Sequence, residues 1–192
     1  KERAMTLHAE YLIDEIHFNE NDIIIDCGAS NGDFFLNFKK KIKYYGYEAS
    51  PHYFDVLKEN LPDQNIYNLA LNKFKGTSDF FIYDINADSS LINNSNDSKK
   101  IIVQCDTLDN IISKIGQNIK LIKIEAEGAE PEVLKGAGDN LRNIEFISAD
   151  LGFERGKKQT STLPEVANFL FENGFSLIKV EQSRLICLFK RV

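Results

Sequence analysis

Acidic residues and glycines meet at the ends of apolar runs in this sequence of 192 residues. In the first such segment, IIIDCGASNGDF, Asp26 is followed by Gly28 and Gly32. Glycines after a strand let the backbone approach a ligand closely, and the N–H groups that open the next helix can face polar or anionic ligand atoms. The segment predicts a site for a nucleotide-like ligand. A tight turn that binds nothing is the alternative.

The same turn argues against a dinucleotide ligand. The G-x-G-x-x-G fingerprint would need glycines at positions 30 and 33, where the chain has Ser30 and Asp33. The sequence also lacks a Tyr-x-x-x-Lys pair. An NAD-linked oxidoreductase or epimerase is therefore kept only as an alternative function.

A second acid, Glu48 in YGYEAS, ends the next predicted strand about twenty residues after the glycine turn. A carboxylate at this position can accept hydrogen bonds from both hydroxyls of a ribose. Alone, Glu48 could be a solvated carboxylate. Together with Asp26 and the glycine turn, it favours a ligand that contains adenosine.

The third acidic segment is LIKIEAEGAEPEVLKGA, in which Glu125 and Glu127 follow a buried strand. Open α/β sheets bind ligands at the carboxyl ends of their strands, and alternation places these two acids on one side. Two like charges raise one pKa, which suits a general base, and both carboxylates also suit a divalent cation. Carboxylates that only cap the turn are the alternative.

Short runs rich in Ile and Val alternate with stretches of helical period, which predicts a doubly wound α/β fold with a mostly parallel sheet. We expect one domain over residues 1–192, with an antiparallel hairpin of FSLIKV and RLICLFK at the C-terminal end. The other predicted strands are 22–27, 44–48, 65–69, 121–125 and 143–149, and the predicted helices are DFFLNFKKK, 51–61, 107–115, 131–135 and 163–173. An inserted β-hairpin at about residues 76–105 carries a loop rich in Asn and Ser.

The composition and charge of the chain limit the classes of partner that we expect. A formal charge of −6 argues against nucleic acid and anionic membrane partners. Three scattered cysteines are typical of a reduced, cytoplasmic protein, and the three histidines lack the spacing of a metal site. The N-terminal stretch KERAMTLHAEYLIDEI is amphipathic and is not expected to be a signal peptide. The sequence indicates no oligomeric state.

Several motifs together resemble the FkbM family of S-adenosylmethionine-dependent methyltransferases. They are DCGASNG, YEASP with LKENL, NLAL, CDTLDNII and KIEAEGAEPEVLKGA, in unbroken order over residues 22–141. The resemblance implies the Rossmann-like, seven-stranded sheet of class I methyltransferases, with S-adenosylmethionine as cofactor. It also implies O-methylation of a small-molecule or glycan acceptor, often a sugar or natural-product hydroxyl.

The resemblance also assigns residues to the cofactor site. The cofactor loop would comprise Asp26, Gly28, Ala29, Asn31 and Gly32. Glu48 would bind the ribose, and Leu69 and Ala70 would lie beside the adenine. One position departs from the family, because Glu125 stands where an Asp is usual. That departure supports a second alternative, a binding module that has lost catalysis.

Methyl transfer to a hydroxyl requires alignment of two reactants and removal of a proton. We expect Glu127 or Asp150 to be the base. The alternative is a Mg²⁺ ion held by Glu125, Glu127 and Asp150, which would lower the pKa of the acceptor. In a third alternative, Asp150 only caps the loop that follows its strand. The polar loops 84–100 and 152–161 are predicted to close over the acceptor.

Overall fold

A computed structural model describes residues 2–83, 89–94 and 98–192. In chain order, the strands of this described part are β1 (Ile23–Cys27), β2 (Lys43–Glu48), β3 (Asn65–Asn68), β4 (Ala70–Leu71), β5 (Gly76–Ile82), β6 (Lys99–Asp106), β7 (Ile119–Ile124), β8 (Ile144–Asp150), β9 (Phe175–Glu181) and β10 (Ile186–Arg191). The α-helices are α1 (Glu2–Glu10), α2 (Pro51–Asn60), α3 (Leu108–Ile115), α4 (Glu130–Lys135) and α5 (Leu163–Glu172). Most of the predicted elements begin and end within two or three residues of these bounds.

The main sheet has seven strands in the order β3-β2-β1-β7-β8-β10-β9. The first five of these strands are parallel, whereas β10 runs antiparallel to both β8 and β9. This confirms the predicted doubly wound sheet with a C-terminal antiparallel hairpin. Because β1 lies near the middle, its carboxyl end adjoins those of β2 and β7.

Helices cover both faces of this sheet. On one face, Ile25 of β1 packs in a core that includes residues of α3, α4 and α5. On the other face, Ile24 packs with Tyr11, Phe34 and Leu57, the last of which belongs to α2. Successive residues of a strand point to opposite faces, so β1 contributes to both cores. A strand that is buried on both faces has a nearly continuous run of apolar residues in its sequence, as IIIDC has.

A second sheet of three strands, in the order β4-β6-β5, lies beside the first. Strand β5 pairs antiparallel with β6, which confirms the inserted hairpin. The strand predicted over 65–69 corresponds to β3 of the main sheet, and it is followed by β4, a strand of the small sheet that was not predicted. Between them, the Leu69 N–H donates to the carbonyl of Glu48 at 3.0 Å. The chain therefore changes sheets beside the end of β2.

The helix expected after Gly32 is a short 3-10 helix, Asp33–Asn37. It ends because Phe38 has an extended backbone, and the Phe38 ring packs edge-on against His8 of α1 at 4.5 Å between centroids. Packing of the Phe38 ring against α1, and not the helical period of the sequence, accounts for the short length of this element. Among the helices in the described ranges, none is long and apolar enough to span a membrane.

Candidate functional site

A cavity opens at the carboxyl ends of β1, β2 and β7. Of the residues assigned to the cofactor from the sequence, six lie on its wall: Gly28, Ala29, Asn31, Glu48, Leu69 and Ala70. They come from the β1 turn, the end of β2 and the crossing between the two sheets. Open α/β sheets bind ligands at such a place, where neighbouring connections leave a crevice. Asp26 and Gly32 lie off the cavity wall.

The two glycines of the β1 turn are required by packing. Gly28 has a φ of +77°, and a Cβ there would collide with the carbonyl oxygen of Glu125. Gly32 has a φ of +87°, and a Cβ there would be 2.7 Å from the Leu61 side chain and 3.0 Å from Leu57. Positive φ and close approach both favour glycine. Gly28 holds the turn against the end of β7, and Gly32 holds it against the α2 region.

Glu48 joins this turn to β2. One carboxylate oxygen accepts a hydrogen bond from the Ser30 N–H and the other from the Ser50 N–H, both at 2.8 Å. Burial raises the pKa of Glu48, and the two N–H donors oppose that shift. Each carboxylate oxygen has a second lone pair, so both can still accept from a ligand hydroxyl. The acid and the turn thus meet on one wall of the cavity.

Asp26 points to the core that contains Ile24 and Tyr44, not to the cavity. It is fully buried, and it accepts a hydrogen bond from the Tyr44 hydroxyl at 2.6 Å. Its other oxygen lies 3.0 Å from Nζ of Lys123. Burial raises its pKa, which Lys123 counteracts. Strand alternation gives the reason, since Cys27 and not Asp26 is on the cavity side at the end of β1.

Lys123 on β7 is a site residue that the sequence analysis did not predict. Its side chain is only 3% exposed, yet Nζ lies 3.0 Å from both Asp26 and Glu125 and donates to the carbonyl of Gly28 at 2.7 Å. It also lies on the cavity wall. Lys123 therefore connects β7 to β1 and to the glycine turn after β1. The available signal was a lysine inside the apolar run LIKIE, where an unpaired charge would be costly.

Arg184 in the turn between β9 and β10 was also missed. Its Nη2 atom lies 2.7 Å from Glu125 and 2.7 Å from Asp150, and the residue lines the cavity. Nη1 lies 3.4 Å from Glu10 of α1. Arg184 is 59 residues from Glu125 in sequence, so no local pattern could have revealed the contact.

Glu125 is held by both cations. Burial alone would raise its pKa, but Lys123 and Arg184 lower the pKa of Glu125 to about 2. A group this acidic is a poor base near neutral pH. The Arg184 guanidinium also lies between Glu125 and Asp150, where the Mg²⁺ alternative would place the cation. Throughout the part of the chain that the structure describes, acidic, histidine and cysteine side chains form no group suited to a metal ion.

Asp150 ends β8 but lies off the cavity wall. It is 1% exposed, and one oxygen accepts from the Gly152 N–H at 3.1 Å while the other faces Arg184. Burial raises its pKa, and Arg184 opposes the shift. These contacts fit the loop-capping alternative better than the role of a base.

Glu127 lies in the turn after β7 and lines the cavity. Its φ is +49°, an uncommon conformation for a residue with a side chain. The turn is shaped by Glu130, whose Oε1 accepts from the N–H groups of Ala126 at 3.1 Å and Gly128 at 3.0 Å. Burial raises the pKa of Glu130 to about 7. The capping role considered for Glu125 and Glu127 belongs to Glu130, and Glu127 remains beside the cavity.

The two predicted lids lie differently in the structure. Of the first, residues 84–88 and 95–97 fall outside the described ranges, whereas Ser89 and Leu91 line the cavity. The second, 152–161, is fixed through Arg155, which pairs with Glu132 of α4 at 2.8 Å. Whether either segment closes over an acceptor stays a prediction.

Comparison with known proteins gives a family match over residues 26–177, to the methyltransferase FkbM domain. This range contains the glycine turn after β1, Glu48, the turn after β7, and β8. Among curated proteins, none matches the chain significantly.

Solved structures share the fold. An rRNA methylase from Streptococcus thermophilus superimposes with a TM-score of 0.54 and 11% identity, covering 97% of this chain and 96% of that protein. Aeropyrum pernix fibrillarin with natively bound S-adenosyl-L-methionine gives 0.53 and 14%, covering 97% and 74%. A TehB-like SAM-dependent methyltransferase from Corynebacterium glutamicum gives 0.53 and 14%, covering 100% and 95%. At such low identities, these likenesses establish the Rossmann-like methyltransferase fold.

Proposed function

Because this chain belongs to the FkbM methyltransferase family, we propose that it transfers the methyl group of S-adenosylmethionine to a hydroxyl group of a sugar, glycan or other small molecule. The family and the fold support S-adenosylmethionine as the cofactor. Aeropyrum pernix fibrillarin, whose fold is similar, was solved with bound S-adenosyl-L-methionine. The acceptor and the O-methyl specificity are the new part of the proposal. We also propose a cytoplasmic location, which three buried, unpaired cysteines support.

One observation carries the cofactor assignment: the hydrogen bond from the Ser30 N–H to the Glu48 carboxylate on the cavity wall. It brings the turn after β1 and the acid at the end of β2 to one place. In that arrangement, backbone N–H groups and a carboxylate can face the two ends of a ribose-containing ligand. Leu69 and Ala70 would supply the apolar wall for the adenine.

Methyl transfer from a sulfonium removes positive charge from sulfur, so the protein mainly has to align the reactants and exclude water. A hydroxyl acceptor must also lose its proton. Glu127 is our candidate base, because it lines the cavity while Asp150 does not and Glu125 is held as a carboxylate by two cations. Arg184 lies where a Mg²⁺ ion between Glu125 and Asp150 would lie, so the proposal assigns the proton removal to a protein base.

The charge of the chain supports a small acceptor. The formal net charge is −6, whereas nucleic acid binding depends on lysine and arginine contacts to phosphates. The rRNA methylase named above shares only 11% identity, so its acceptor is no guide to this one.

A binding module without catalysis is the second candidate. The observation that favours it is the neutralisation of Glu125 by Lys123 and Arg184 at the place where the reaction would occur. Such a module would bind the cofactor but transfer nothing.

Methyl-labelled S-adenosylmethionine, incubated with the protein and a fractionated small-molecule and glycan extract, tests the proposal. We expect mass spectrometry to find a labelled hydroxyl-containing product. With that acceptor, Glu127→Gln should lower turnover about 100-fold or more and leave cofactor affinity unchanged. Glu172→Gln, an exposed change at the end of α5, is the control.

Binding of S-adenosylmethionine without label in any fraction would favour the module without catalysis. Binding of NAD in its place would refute the cofactor assignment. Label in RNA or protein would refute the acceptor class alone.

A further inference from the structure

The segment 89–94 folds back from the small sheet toward the cavity. Ser90 and Phe81 of β5 form an antiparallel bridge, with N–H to carbonyl distances of 2.8 and 3.0 Å. Ser90 is 1% exposed. Its neighbours Ser89 and Leu91 line the cavity, so the bridge fixes this segment against the cavity mouth.

Two side chains of this segment hold the turn that carries Glu127. The Ser90 hydroxyl donates to the Glu127 carbonyl at 2.8 Å, and the Asn94 amide donates to the same carbonyl at 3.2 Å. The Ser90 oxygen in turn accepts from the Ile92 N–H at 3.0 Å. A carbonyl with two donors is restrained in direction, and so is the strained residue to which it belongs.

Asn94 also reaches the loop that follows β8. The side-chain oxygen of Asn94 accepts a hydrogen bond from the Gly156 N–H at 2.7 Å. The backbone N–H of Asn94 donates to the Tyr83 hydroxyl at 2.7 Å. One asparagine thereby connects three segments: the end of the hairpin strand β5, the Glu127 turn and the 152–161 loop. The three partners lie 11, 33 and 62 residues from Asn94 in the sequence.

We infer that Asn94 is a positioning residue, which fixes the Glu127 carboxylate toward the acceptor by bonding the Glu127 carbonyl and Gly156 together. The inference rests on the proposed role of Glu127 as the base. Asn94 lies outside the cavity wall, so it acts through Glu127 and not through the cofactor. A base must be held within hydrogen-bond reach of the proton it removes, and a shift of about 1 Å lowers the rate strongly. The connection between β5 and β6 thereby helps to position the proposed base.

Three variants of the full chain test this role. Asn94→Ala removes both side-chain bonds. Asn94→Asp keeps the acceptor for the Gly156 N–H but loses the donor to the Glu127 carbonyl. Asn173→Ala is the matched control, since Asn173 donates to the Phe169 carbonyl at 2.7 Å at the end of α5, away from the cavity.

We expect calorimetry with S-adenosylhomocysteine to give dissociation constants within about twofold of the original protein for all three variants. With the acceptor found by labelling, kcat should fall at least about tenfold in Asn94→Ala and Asn94→Asp, with the KM for S-adenosylmethionine unchanged. Amide exchange at Gly156 should accelerate at least about tenfold in Asn94→Ala but stay slow in Asn94→Asp. Asn173→Ala should match the original protein in each measurement.

An unchanged kcat in Asn94→Ala would overturn the inference, and so would equal losses in Asn173→Ala or an unchanged exchange rate at Gly156. An original protein that binds S-adenosylhomocysteine yet methylates no acceptor would instead overturn the proposed function. The exchange rates would then still decide whether Asn94 connects the two loops.

Discussion

At the level of single residues, Glu48 carries the cofactor assignment, and the structure gives it two tasks. It accepts two backbone N–H bonds within the protein, and it lies on the wall of the cavity. A ligand ribose would therefore bind a carboxylate that the fold has already fixed. Preorganised acceptors of this kind lose little freedom when the ligand arrives.

Glu48→Ala should weaken S-adenosylmethionine binding by about 1 to 3 kcal/mol, since ribose hydroxyls would lose their charged acceptor. The glycine turn would also lose its bond from Ser30. Calorimetry against Glu59→Ala, an exposed acid on α2, provides the comparison. Equal affinities for the two variants would remove Glu48 from the cofactor site.

The Lys123 ion pair with Asp26 is the second test at the residue scale. Both partners are almost wholly buried, so Lys123→Met would leave the Asp26 charge uncompensated and should cost about 3 to 5 kcal/mol in urea unfolding. Removing both charges with Asp26→Asn and Lys123→Met together should recover part of that loss. Lys120→Met on the same strand removes the partly exposed pair with Glu145 and a cation–π contact with Phe146, and it should cost about 1 to 2 kcal/mol. A double variant less stable than Lys123→Met would contradict the pairing.

At the level of elements, the β9–β10 hairpin does more than complete the sheet. Its turn delivers Arg184 to the cavity, where the guanidinium holds both Glu125 and Asp150. The Glu125 carboxylate is thus held by Lys123 of β7 at 3.0 Å and by Arg184 of this turn at 2.7 Å. The turn therefore stabilises the charge of a residue that lies on a different part of the sheet edge.

This pairing predicts a pH dependence that a matched variant can isolate. The folded-state pKa of Glu125 is about 2, below its ordinary value of 4.5. A lowered folded pKa stabilises the protein fully above the ordinary value, and the contribution is lost as pH falls toward 2. Glu125→Gln should therefore unfold at lower urea concentrations than the original protein at pH 6. The difference should shrink between pH 4.5 and pH 3, and a constant difference would refute the pairing.

At the level of the whole molecule, the cavity joins the central strands of the main sheet, the small sheet, α1 and the C-terminal hairpin. Arg3 and Leu7 of α1, Phe80 of β5 and Arg184 all lie on its wall. A ligand there contacts segments from both ends of the chain. Binding should consequently stabilise the whole fold rather than one loop.

S-adenosylhomocysteine at about 100 times its dissociation constant should stabilise the folded state by about 2.7 kcal/mol. For a chain of this size, that corresponds to a rise in Tm of about 5 to 10 °C. NAD at the same concentration should leave Tm unchanged. Differential scanning calorimetry measures both, and a rise with NAD alone would contradict the cofactor assignment.

The sequence by itself determined most of the elements and the location of the glycine turn after β1, because both depend on local patterns. Apolar runs such as IIIDC form central strands whatever their partners are, and Gly28 marks a turn that only glycine can make. The position of Glu48 beside this turn could be predicted because a parallel sheet brings the ends of adjacent strands together. The inserted hairpin followed from two strand-like runs around a polar loop.

Only the tertiary structure decided how the charges are distributed around the cavity. Whether Asp26 faces the core or the ligand depends on which face of β1 packs against Tyr44, and a strand buried on both sides has no polar face to reveal it. Arg184 reaches Glu125 across 59 residues, and Asn94 reaches Glu127 across 33. The energies of ion pairs and hydrogen bonds depend on the distances between these groups, which are remote in sequence. The pKa of Glu125 and the placement of Glu127 are therefore set only by the folded structure.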